Sequence, residues 1–254
     1  MKKTIIKIAA VAAVMSALVT GASADGSYGW YCMRKKDHER VKCEANMAFV
    51  EEHGGVYIGK DPDEKVLYLT FDAGYENGNI AKILDTLKAH NARAAFFVLA
   101  HLIKNDTDLV RRMQNEGHLV CNHTSRHKDM SKMSDADFEA ELCSLENTAA
   151  EYGIEMTKFY RPPEGRFSEE NLICADKLGY TTVFWSVAYA DWDNAKQPPR
   201  DKAKKLLLDN THNGAVILLH PTSATNAAIL DELLTAWENE GYRFGTLDEF
   251  KAQK

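Results

Sequence analysis

Two stretches of this sequence carry residue types that together could hydrolyse a covalent bond. Asp72 follows the apolar residues 68–71, and His123 and His127 lie four residues apart further along the chain. A carboxylate beside a metal-bound water is the apparatus of metal-assisted hydrolysis. Two neutral imidazoles suit Zn, Co, Ni or Fe as ligands. The pattern therefore predicts a divided site, with Asp72 as the base and the two histidines as metal ligands.

Each half of this signal also has a purely structural interpretation. Histidine pairs with this spacing are common on protein surfaces, and an aspartate after a strand often caps a turn through its own backbone. Arg161 precedes two prolines and could be a surface charge. His220 follows the apolar residues 216–219 and could be a core histidine bonded to a carbonyl. The functional interpretation therefore depends on these residues meeting in space.

Short apolar strands alternate with longer helical segments along most of the chain. The predicted strands cover residues 66–71, 94–99, 118–121, 159–161, 181–186 and 215–219. The predicted helices cover residues 41–52, 79–90, 106–116, 134–152, 168–178, 201–208 and 226–240. This alternation predicts repeated βαβ units around a parallel sheet. We expect an α/β fold, a distorted (β/α) barrel of about seven units.

Polar residues follow five of the predicted strands. In chain order they are Asp72, His123, Arg161, Asp191 and His220. The carboxyl ends of the strands carry the chemistry in β/α barrels, because the loops that follow them meet at one face. We therefore expect all five side chains at a single site.

The N-terminus has the features of an export signal. Lys2 and Lys3 precede a short apolar run, and the segment closes on small residues up to Ala24. Residues 1–24 are therefore predicted to be a Sec signal peptide, cleaved near Ala24 and Asp25; an uncleaved membrane anchor is the alternative. The mature protein is expected to be secreted or to reside in the cell wall, without a membrane span.

Charge and length limit what the exported chain can be. The net charge is −6, and removal of residues 1–24 takes away three lysines and no acid, which leaves −9. A chain this acidic is a poor nucleic-acid binder, because phosphate binding needs a basic surface. Residues 25–60 are polar and are predicted to be an N-terminal extension that packs on the barrel. Residues 61–254 are predicted to form one large domain, and we expect a monomer.

The five cysteines form no C-x-x-C pair. Cys32 and Cys43 lie in one polar N-terminal segment and are predicted to form a disulfide after export. Cys121, Cys143 and Cys174 lie in apolar or helical surroundings, where a buried thiol is the simplest expectation.

Five ordered motifs resemble those of the NodB-homology polysaccharide deacetylases, the family 4 carbohydrate esterases. They are Thr70-Phe71-Asp72, the segment from His123 to His127, Arg161-Pro162-Pro163-Glu164-Gly165, Asp191-Trp192 and Leu218-Leu219-His220. The resemblance covers about residues 63–252 and implies a deacetylase barrel over residues 61–254. Within the family the chain most resembles the delta-lactam-biosynthetic de-N-acetylases of N-acetylmuramic acid, on the evidence of residues 70–78, 188–193 and 214–226 and of Gly29-Trp30.

The resemblance implies a role for each catalytic residue. Asp72 would be the general base that takes a proton from the attacking water, and Arg161 would pair with it and keep it charged. His220 would be the general acid that protonates the leaving amine, because an imidazole that titrates near neutrality suits that role. Asp191 would support His220 or Arg161.

The resemblance also implies residues that contact the substrate. The backbone N–H of Glu164, in the turn that starts at Pro163, is a candidate oxyanion donor. Tyr75 and Trp192 are candidates for the walls of the sugar groove, and core packing is an equal alternative for Trp192.

One residue departs from the family pattern in a way that affects the metal. The family has a second aspartate where this chain has Ala73, so the ligand set reduces to His123 and His127. Two ligands should hold a divalent metal loosely, and Zn is the first candidate, with Co, Ni or Mn as alternatives. We hypothesise that Ala73 leaves room beside the sugar for the lactyl ether of a muramic residue and removes a negative charge there.

Three functions remain open at this stage. The first is a secreted metal-dependent peptidoglycan N-deacetylase that removes acetyl from N-acetylmuramic acid, on the route to muramic delta-lactam in spore cortex. The second is an N-acetylglucosamine or chitooligosaccharide deacetylase, and the third is a catalytically inactive glycan-binding domain. The retained Asp72, Arg161 and His220 favour an enzyme, because a binding domain needs no base, orienting residue and acid together. The expected partner is the glycan strand of peptidoglycan.

Overall fold

A computed structural model describes residues 26–31 and 34–251 of the chain. The predicted signal peptide at residues 1–24 and Cys32 of the predicted disulfide lie outside these residues. Within the described ranges, the structure contains no helix with the length and apolar character that a membrane crossing requires.

The chain alternates between short strands and helices. The strands are β1 (Tyr28–Gly29), β2 (Val66–Ala73), β3 (Ala94–Val98), β4 (Leu119–Asn122), β5 (Phe159–Tyr160), β6 (Arg166–Phe167), β7 (Thr181–Thr182), β8 (Val187–Ala188), β9 (Ala215–Leu219) and β10 (Arg243–Phe244). The helices are α1 (Phe49–Glu52), α2 (Ile80–Ala89), α3 (Ala100–Asn105), α4 (Thr107–Asn115), α5 (Asp135–Glu151), α6 (Glu169–Lys177), α7 (Arg200–Asn210), α8 (Ala224–Asn239) and α9 (Asp248–Lys251).

The main sheet is parallel throughout. Its strand order is β7-β5-β4-β3-β2-β9-β8, and β10 pairs with the start of β2. Long strands in the middle, β2, β3 and β9, are flanked by strands of only two residues toward both edges. The predicted distorted (β/α) barrel is confirmed, as a curled sheet surrounded by helices.

The segment before β2 links the two edges of the curled sheet. Val56 bridges Val183 after β7, and Ile58 bridges Ala215 at the start of β9. The backbones come together at Gly59 and Gly214, where a Cβ added to Gly214 would lie 3.0 Å from the Cα of Gly59. Gly214 also has a φ of +74°, so this closure depends on the absence of a side chain there.

The alternation of side chains along β2 separates two cores. Leu67, Leu69 and Phe71 belong to the larger cluster, which includes residues of α2, α4 and α8. Val66 and Tyr68 belong to a second cluster with Phe97 and Val216 inside the curl. Because successive side chains of a strand point to opposite faces, Thr70 and Asp72 share the inner face with Val66 and Tyr68.

The N-terminal extension packs against one side of the barrel. Trp30 is buried, and its ring stacks on Phe184 with 4.3 Å between the centroids. Strand β1 pairs antiparallel with β6, and the guanidinium of Arg40 donates to the carbonyl oxygens of Gly59 and Asn213. These contacts hold the extension beside the closure of the sheet.

The structure corrects two predicted elements. The helix expected over residues 41–52 is only the 3₁₀ turn Ala45–Met47 followed by α1. Val41 and Met47 are instead buried beside Trp30, and these tertiary contacts override local helix propensity. The strand expected over residues 181–186 is reduced to β7, since Phe184 donates its N–H to Val56 of the segment before β2, and β8 begins only at Val187.

Two buried histidines should make the fold sensitive to acid. Burial lowers the pKa of His118 and of His212 to about 4, and the Nε2 atom of each has no hydrogen-bond partner within the described part of the chain. An unfolded imidazole titrates near 6.5, so the unfolded state binds more protons between these values. The stability is therefore fully present above pH 6.5 and falls as the pH decreases toward 4.

We expect the free energy of unfolding to fall by about 2 kcal/mol for each of these histidines between pH 7 and pH 5. In the variant His118→Asn this loss should be smaller by about 2 kcal/mol, because the contribution of His118 is gone. Urea denaturation at several pH values measures the change. His101→Asn, on the exposed face of α3, is the matched control, and a pH dependence in His118→Asn equal to that of the wild type would contradict the expectation.

Candidate active site

A cavity of about 840 Å³ opens at the carboxyl ends of the central strands. The predicted residues that line it are Asp72, Tyr75, His123, His127, Glu164, Trp192 and His220. Arg161 and Asp191 are fully buried and each bonds to one of these lining residues. The structure therefore brings together the polar residues that follow five separate strands.

The guanidinium of Arg161 holds Asp72 in place from inside the barrel. Its Nη1 donates to Asp72 Oδ1 at 2.8 Å, and its Nη2 donates to Thr70 Oγ1 at 2.9 Å. Nε donates to the carbonyl of Val183 at 3.0 Å, and the group stacks over the ring of Phe97 at 4.2 Å. With these contacts the buried charge is hydrogen-bonded as well as paired.

This pairing decides the charge of Asp72. Burial alone would raise the pKa of the Asp72 carboxyl, but the charge and hydrogen bond of Arg161, together with the charges of His123 and His220, outweigh it and lower that pKa. The carboxylate is therefore ionised at neutral pH, and its side chain remains about 10% exposed at the cavity. An ionised and partly accessible carboxylate can accept a proton from a water molecule in the cavity.

His123 is oriented by the same arginine. Its Nδ1 lies 2.9 Å from the carbonyl oxygen of Arg161, so Nδ1 carries the proton and donates it. Its Nε2 lies 3.5 Å from Asp72 Oδ2 and has a free lone pair in that tautomer. Burial lowers the pKa of His123 to about 4, so the imidazole is neutral at physiological pH.

A tight turn brings His127 beside His123. Thr124 and His127 have φ values of +72° and +54°, and the Asn122 side chain accepts the N–H of Thr124. The two imidazole centroids are 5.0 Å apart at an interplanar angle of 73°. The two histidines therefore meet through a turn and not on one face of a helix.

The two imidazoles fit a divalent metal. A ligating histidine usually donates its second ring nitrogen to a carbonyl or carboxylate, as His123 does to Arg161. Across the described residues, however, no group of three or more His, Cys, Asp and Glu side chains is arranged to hold a metal ion. A metal bound here would therefore take His123 and His127 as ligands and complete its coordination with other groups.

A second buried ion pair supports His220 on the other side of the cavity. Asp191 accepts the Nδ1–H of His220 with Oδ1 at 2.8 Å and the backbone N–H of His220 with Oδ2 at 2.8 Å. Asn226 Nδ2 donates to Asp191 Oδ2 at 2.6 Å and to the carbonyl of His220 at 3.0 Å. Both the imidazole and its carboxylate partner are thus fixed.

The charge on His220 follows from this pair. Burial alone would lower the pKa of the His220 imidazole, but the hydrogen bond and negative charge of Asp191 raise it above the ordinary value. The cavity therefore contains an imidazole whose protonated form is favoured by Asp191, with Nε2 free of the bond to Asp191. Such a group can donate a proton to a leaving amine.

The turn after Arg161 forms another part of the cavity wall. Glu164 lines the cavity in the left-handed region, with a φ of +56°, and its carboxylate lies 3.3 Å from Nε of Arg166. Pro163 is buried and begins this 3₁₀ turn without lining the cavity. The turn places a strained backbone segment at the site.

The two predicted groove aromatics are at the surface. The exposed fraction is 63% for Trp192 and 45% for Tyr75, and both line the cavity. The Trp192 ring lies edge-on to His220 at 6.4 Å, and Asn194 donates to the Tyr75 hydroxyl at 2.6 Å. The alternative of core packing for Trp192 is therefore wrong.

Ala73 is not part of the cavity wall. It is fully buried and belongs to the outer cluster with Phe71 and Val98. Because Ala73 follows Asp72 on an extended strand, its side chain points to the opposite face. The expectation that its small size leaves room beside the sugar gains no support from this position.

Sequence reasoning missed one wall of the cavity. Trp30, Tyr31 and Arg34 of the N-terminal extension line it opposite the strand ends. The local signals were the Gly29-Trp30 resemblance and a cluster of aromatic and basic residues in a polar segment, and neither by itself places these side chains at the site. Their position depends on how the extension packs on the barrel.

We expect the buried ion pair to dominate local stability. Arg161→Met should lower the free energy of unfolding by about 3–5 kcal/mol, because Asp72 is then a buried charge without a partner. The double variant Arg161→Met with Asp72→Asn should lose less free energy of unfolding than the two single variants lose together. The difference, which is the coupling energy, should be about 1–3 kcal/mol. Denaturant titration of the four proteins measures the coupling.

The matched control is Arg111→Met, because Arg111 makes an exposed ion pair with Asp108. Its loss should stay below about 1 kcal/mol. Additive losses for Arg161→Met and Asp72→Asn would show that the two side chains do not stabilise each other.

Known proteins match this chain over most of its length. A family model described as polysaccharide deacetylase matches residues 59–183. The peptidoglycan-N-acetylmuramic acid deacetylase PdaA of Bacillus subtilis (strain 168) is 36% identical over 227 residues, 89% of this chain and 86% of that protein. A peptidoglycan-N-acetylglucosamine deacetylase of Bacillus cereus is 32% identical over 204 residues, 79% of this chain and 73% of that protein.

The fold match is equally extensive. The solved structure of Bacillus subtilis PdaA, a family 4 carbohydrate esterase, has a TM-score of 0.85 and 35% identity, and the match covers 91% of this chain and 99% of that chain. Both the sequence and the fold are thus shared with these enzymes. The chain belongs to the polysaccharide deacetylase family, the family 4 carbohydrate esterases with a NodB-homology fold, and it is a hydrolase that acts on amide bonds.

Proposed function

We propose that this chain is a peptidoglycan N-deacetylase that removes the acetyl group from N-acetylmuramic acid residues, on the route to muramic delta-lactam. The observation that carries the chemistry is that one cavity holds both Asp72, whose carboxylate Arg161 keeps ionised, and His220, whose protonated form Asp191 favours. The choice of sugar follows PdaA, which its name describes as an N-acetylmuramic acid deacetylase.

The acid and base have opposite tasks in amide hydrolysis. Asp72 takes a proton from the attacking water, because Arg161 keeps its carboxylate charged and oriented. His220 gives a proton to the amine as the carbon–nitrogen bond breaks, because Asp191 keeps its imidazole protonated. Environments that move two titratable groups in opposite directions are typical of acid–base pairs. The backbone N–H of Glu164 is the proposed donor to the developing oxyanion.

His123 and His127 are the proposed ligands of a divalent metal, with Zn as the first candidate and Co, Ni or Mn as alternatives. A bound metal lowers the pKa of a coordinated water and polarises a carbonyl. The neutral state of His123 and its bond to the Arg161 carbonyl leave Nε2 ready for that task. A set of two protein ligands should bind the metal weakly.

A second sugar is the alternative substrate. The relative in Bacillus cereus is named as an N-acetylglucosamine deacetylase and is 32% identical to this chain, against 36% for PdaA. The difference is small, so the substrate has to be tested directly. A cell-wall substrate also supports the proposal that residues 1–24 direct export.

The substrate experiment compares acetate release from muramic-containing glycans and from glucosamine-only glycans. We expect release from the muramic glycans, loss of release with a chelator and recovery with added Zn²⁺. Asp72→Asn should lower the rate by about 10²–10⁴-fold, because the base is removed. Mass spectrometry quantifies acetate, and circular dichroism checks the fold. Release from the glucosamine glycans alone would favour the alternative substrate.

The pH dependence of kcat/KM should reveal how Asp191 affects the pKa of His220. If His220 is the acid, activity falls on the alkaline side as the pH rises through its pKa, which Asp191 raises. Asp191→Asn removes that charge, so the alkaline limb of kcat/KM should move to lower pH. Asp193→Asn, at an exposed carboxylate, is the matched control and should leave the limb in place. A uniform loss of rate without a shift would assign Asp191 an orienting role only.

A further inference from the structure

The N-terminal wall consists of Trp30, Tyr31 and Arg34, the three residues of the extension that line the active-site cavity. All three precede the residues that the family model matches. The general base, the histidine pair and the turn at Glu164 come from the barrel. The wall is therefore an addition to the deacetylase core that faces the same substrate.

The wall is anchored firmly beside the catalytic groups. The Nε1–H of Trp30 donates to the carbonyl of Trp185 at 2.9 Å, and its backbone N–H donates to the carbonyl of Gly165 at 2.8 Å. Space there is tight, because a Cβ added to Gly165 would lie 2.8 Å from Trp185 and 3.2 Å from Trp30. The position of Trp30 relative to the turn of Glu164 is thus fixed.

Arg34 brings an unpaired positive charge to the cavity. Its side chain is exposed, and within the described ranges no carboxylate forms an ion pair with it. The two carboxylates that line the cavity already have cationic partners, since Asp72 pairs with Arg161 and Glu164 with Arg166. Among the described lining residues, the guanidinium of Arg34 is therefore available for an anionic group on the substrate.

We propose that Arg34 determines specificity by binding a carboxylate carried by the sugar whose acetamide is cleaved. The inference rests on the proposed function, in which that sugar is a muramic residue with a lactyl carboxylate that glucosamine lacks. A guanidinium matches the two oxygens of a carboxylate with parallel hydrogen bonds. The chain has a net charge of −6, so an anionic glycan needs a local cation to approach the cavity.

Arg34, and not Ala73, is then the residue that selects the sugar. Ala73 is buried on the outer face of β2, where it does not reach the substrate. Arg34 lies on the wall itself and has the charge that distinguishes a free acid from a neutral sugar. Selectivity then depends on an attractive charge and not on extra room.

The test uses two muramic oligosaccharides that differ only in the lactyl group, one with a free carboxylate and one with its methyl ester. The wild type should prefer the free acid in kcat/KM for acetate release. Arg34→Gln should lower kcat/KM on the free acid by about fivefold and leave the ester unchanged, since an exposed charge pair contributes modestly. On the free acid, kcat/KM of Arg34→Lys should lie between the values of the wild type and of Arg34→Gln. Added salt should reduce the preference of the wild type for the free acid.

Lys36→Gln is the matched control, because Lys36 is an exposed cation two residues away that does not line the cavity. It should leave both rates unchanged. An equal loss on acid and ester in Arg34→Gln, or an acid preference that survives the substitution, overturns the role of Arg34 while the deacetylase function stands. A wild type that deacetylates neither muramic substrate overturns the proposed function, and the role of Arg34 with it.

Discussion

The buried guanidinium of Arg161 is the interaction on which the rest of the site depends. Its donors reach Asp72 and Thr70 on β2 and the carbonyl oxygens of residues 183 and 184 after β7. These strands are not neighbours in the sheet, so the side chain links them across the interior of the curl. Its own carbonyl oxygen orients His123. A buried charge costs several kcal/mol unless it is paired and fully bonded, so the strand positions, Asp72 and His123 are fixed together.

The site uses the same kinds of group in opposite protonation states. Arg161 favours the anion of Asp72, and Asp191 favours the cation of His220. His123 has no carboxylate as close as the one beside His220, since 3.5 Å separates its Nε2 from Asp72 and burial keeps it neutral. His220 is thereby suited to donate a proton, and His123 is suited to donate a lone pair. The distinction comes from the partner of each ring and not from the residue type.

The sequence predicted the barrel and most of the site, because both depend on signals that are local in the chain. Apolar runs located β2, β3 and β9, and the polar residues after the strands had to meet at one face. The predictions that were wrong concern features that depend on tertiary packing. β2 is buried on both faces, so its sequence shows no alternation that would reveal that Asp72 points inward and Ala73 outward. Residues 41–52 follow the contacts of Trp30 instead of their helical propensity.

Chemistry and substrate choice therefore have different structural supports. Asp72, Arg161 and Asp191 sit in bonded, buried networks, where any substitution changes stability as well as rate. Arg34 is exposed and lies on an extension that is anchored by Trp30, so its replacement removes a charge without disturbing a core contact. Surface substitutions of this kind cost little stability. A barrel that keeps its acid and base unchanged can thus acquire a new sugar preference through the wall that faces them.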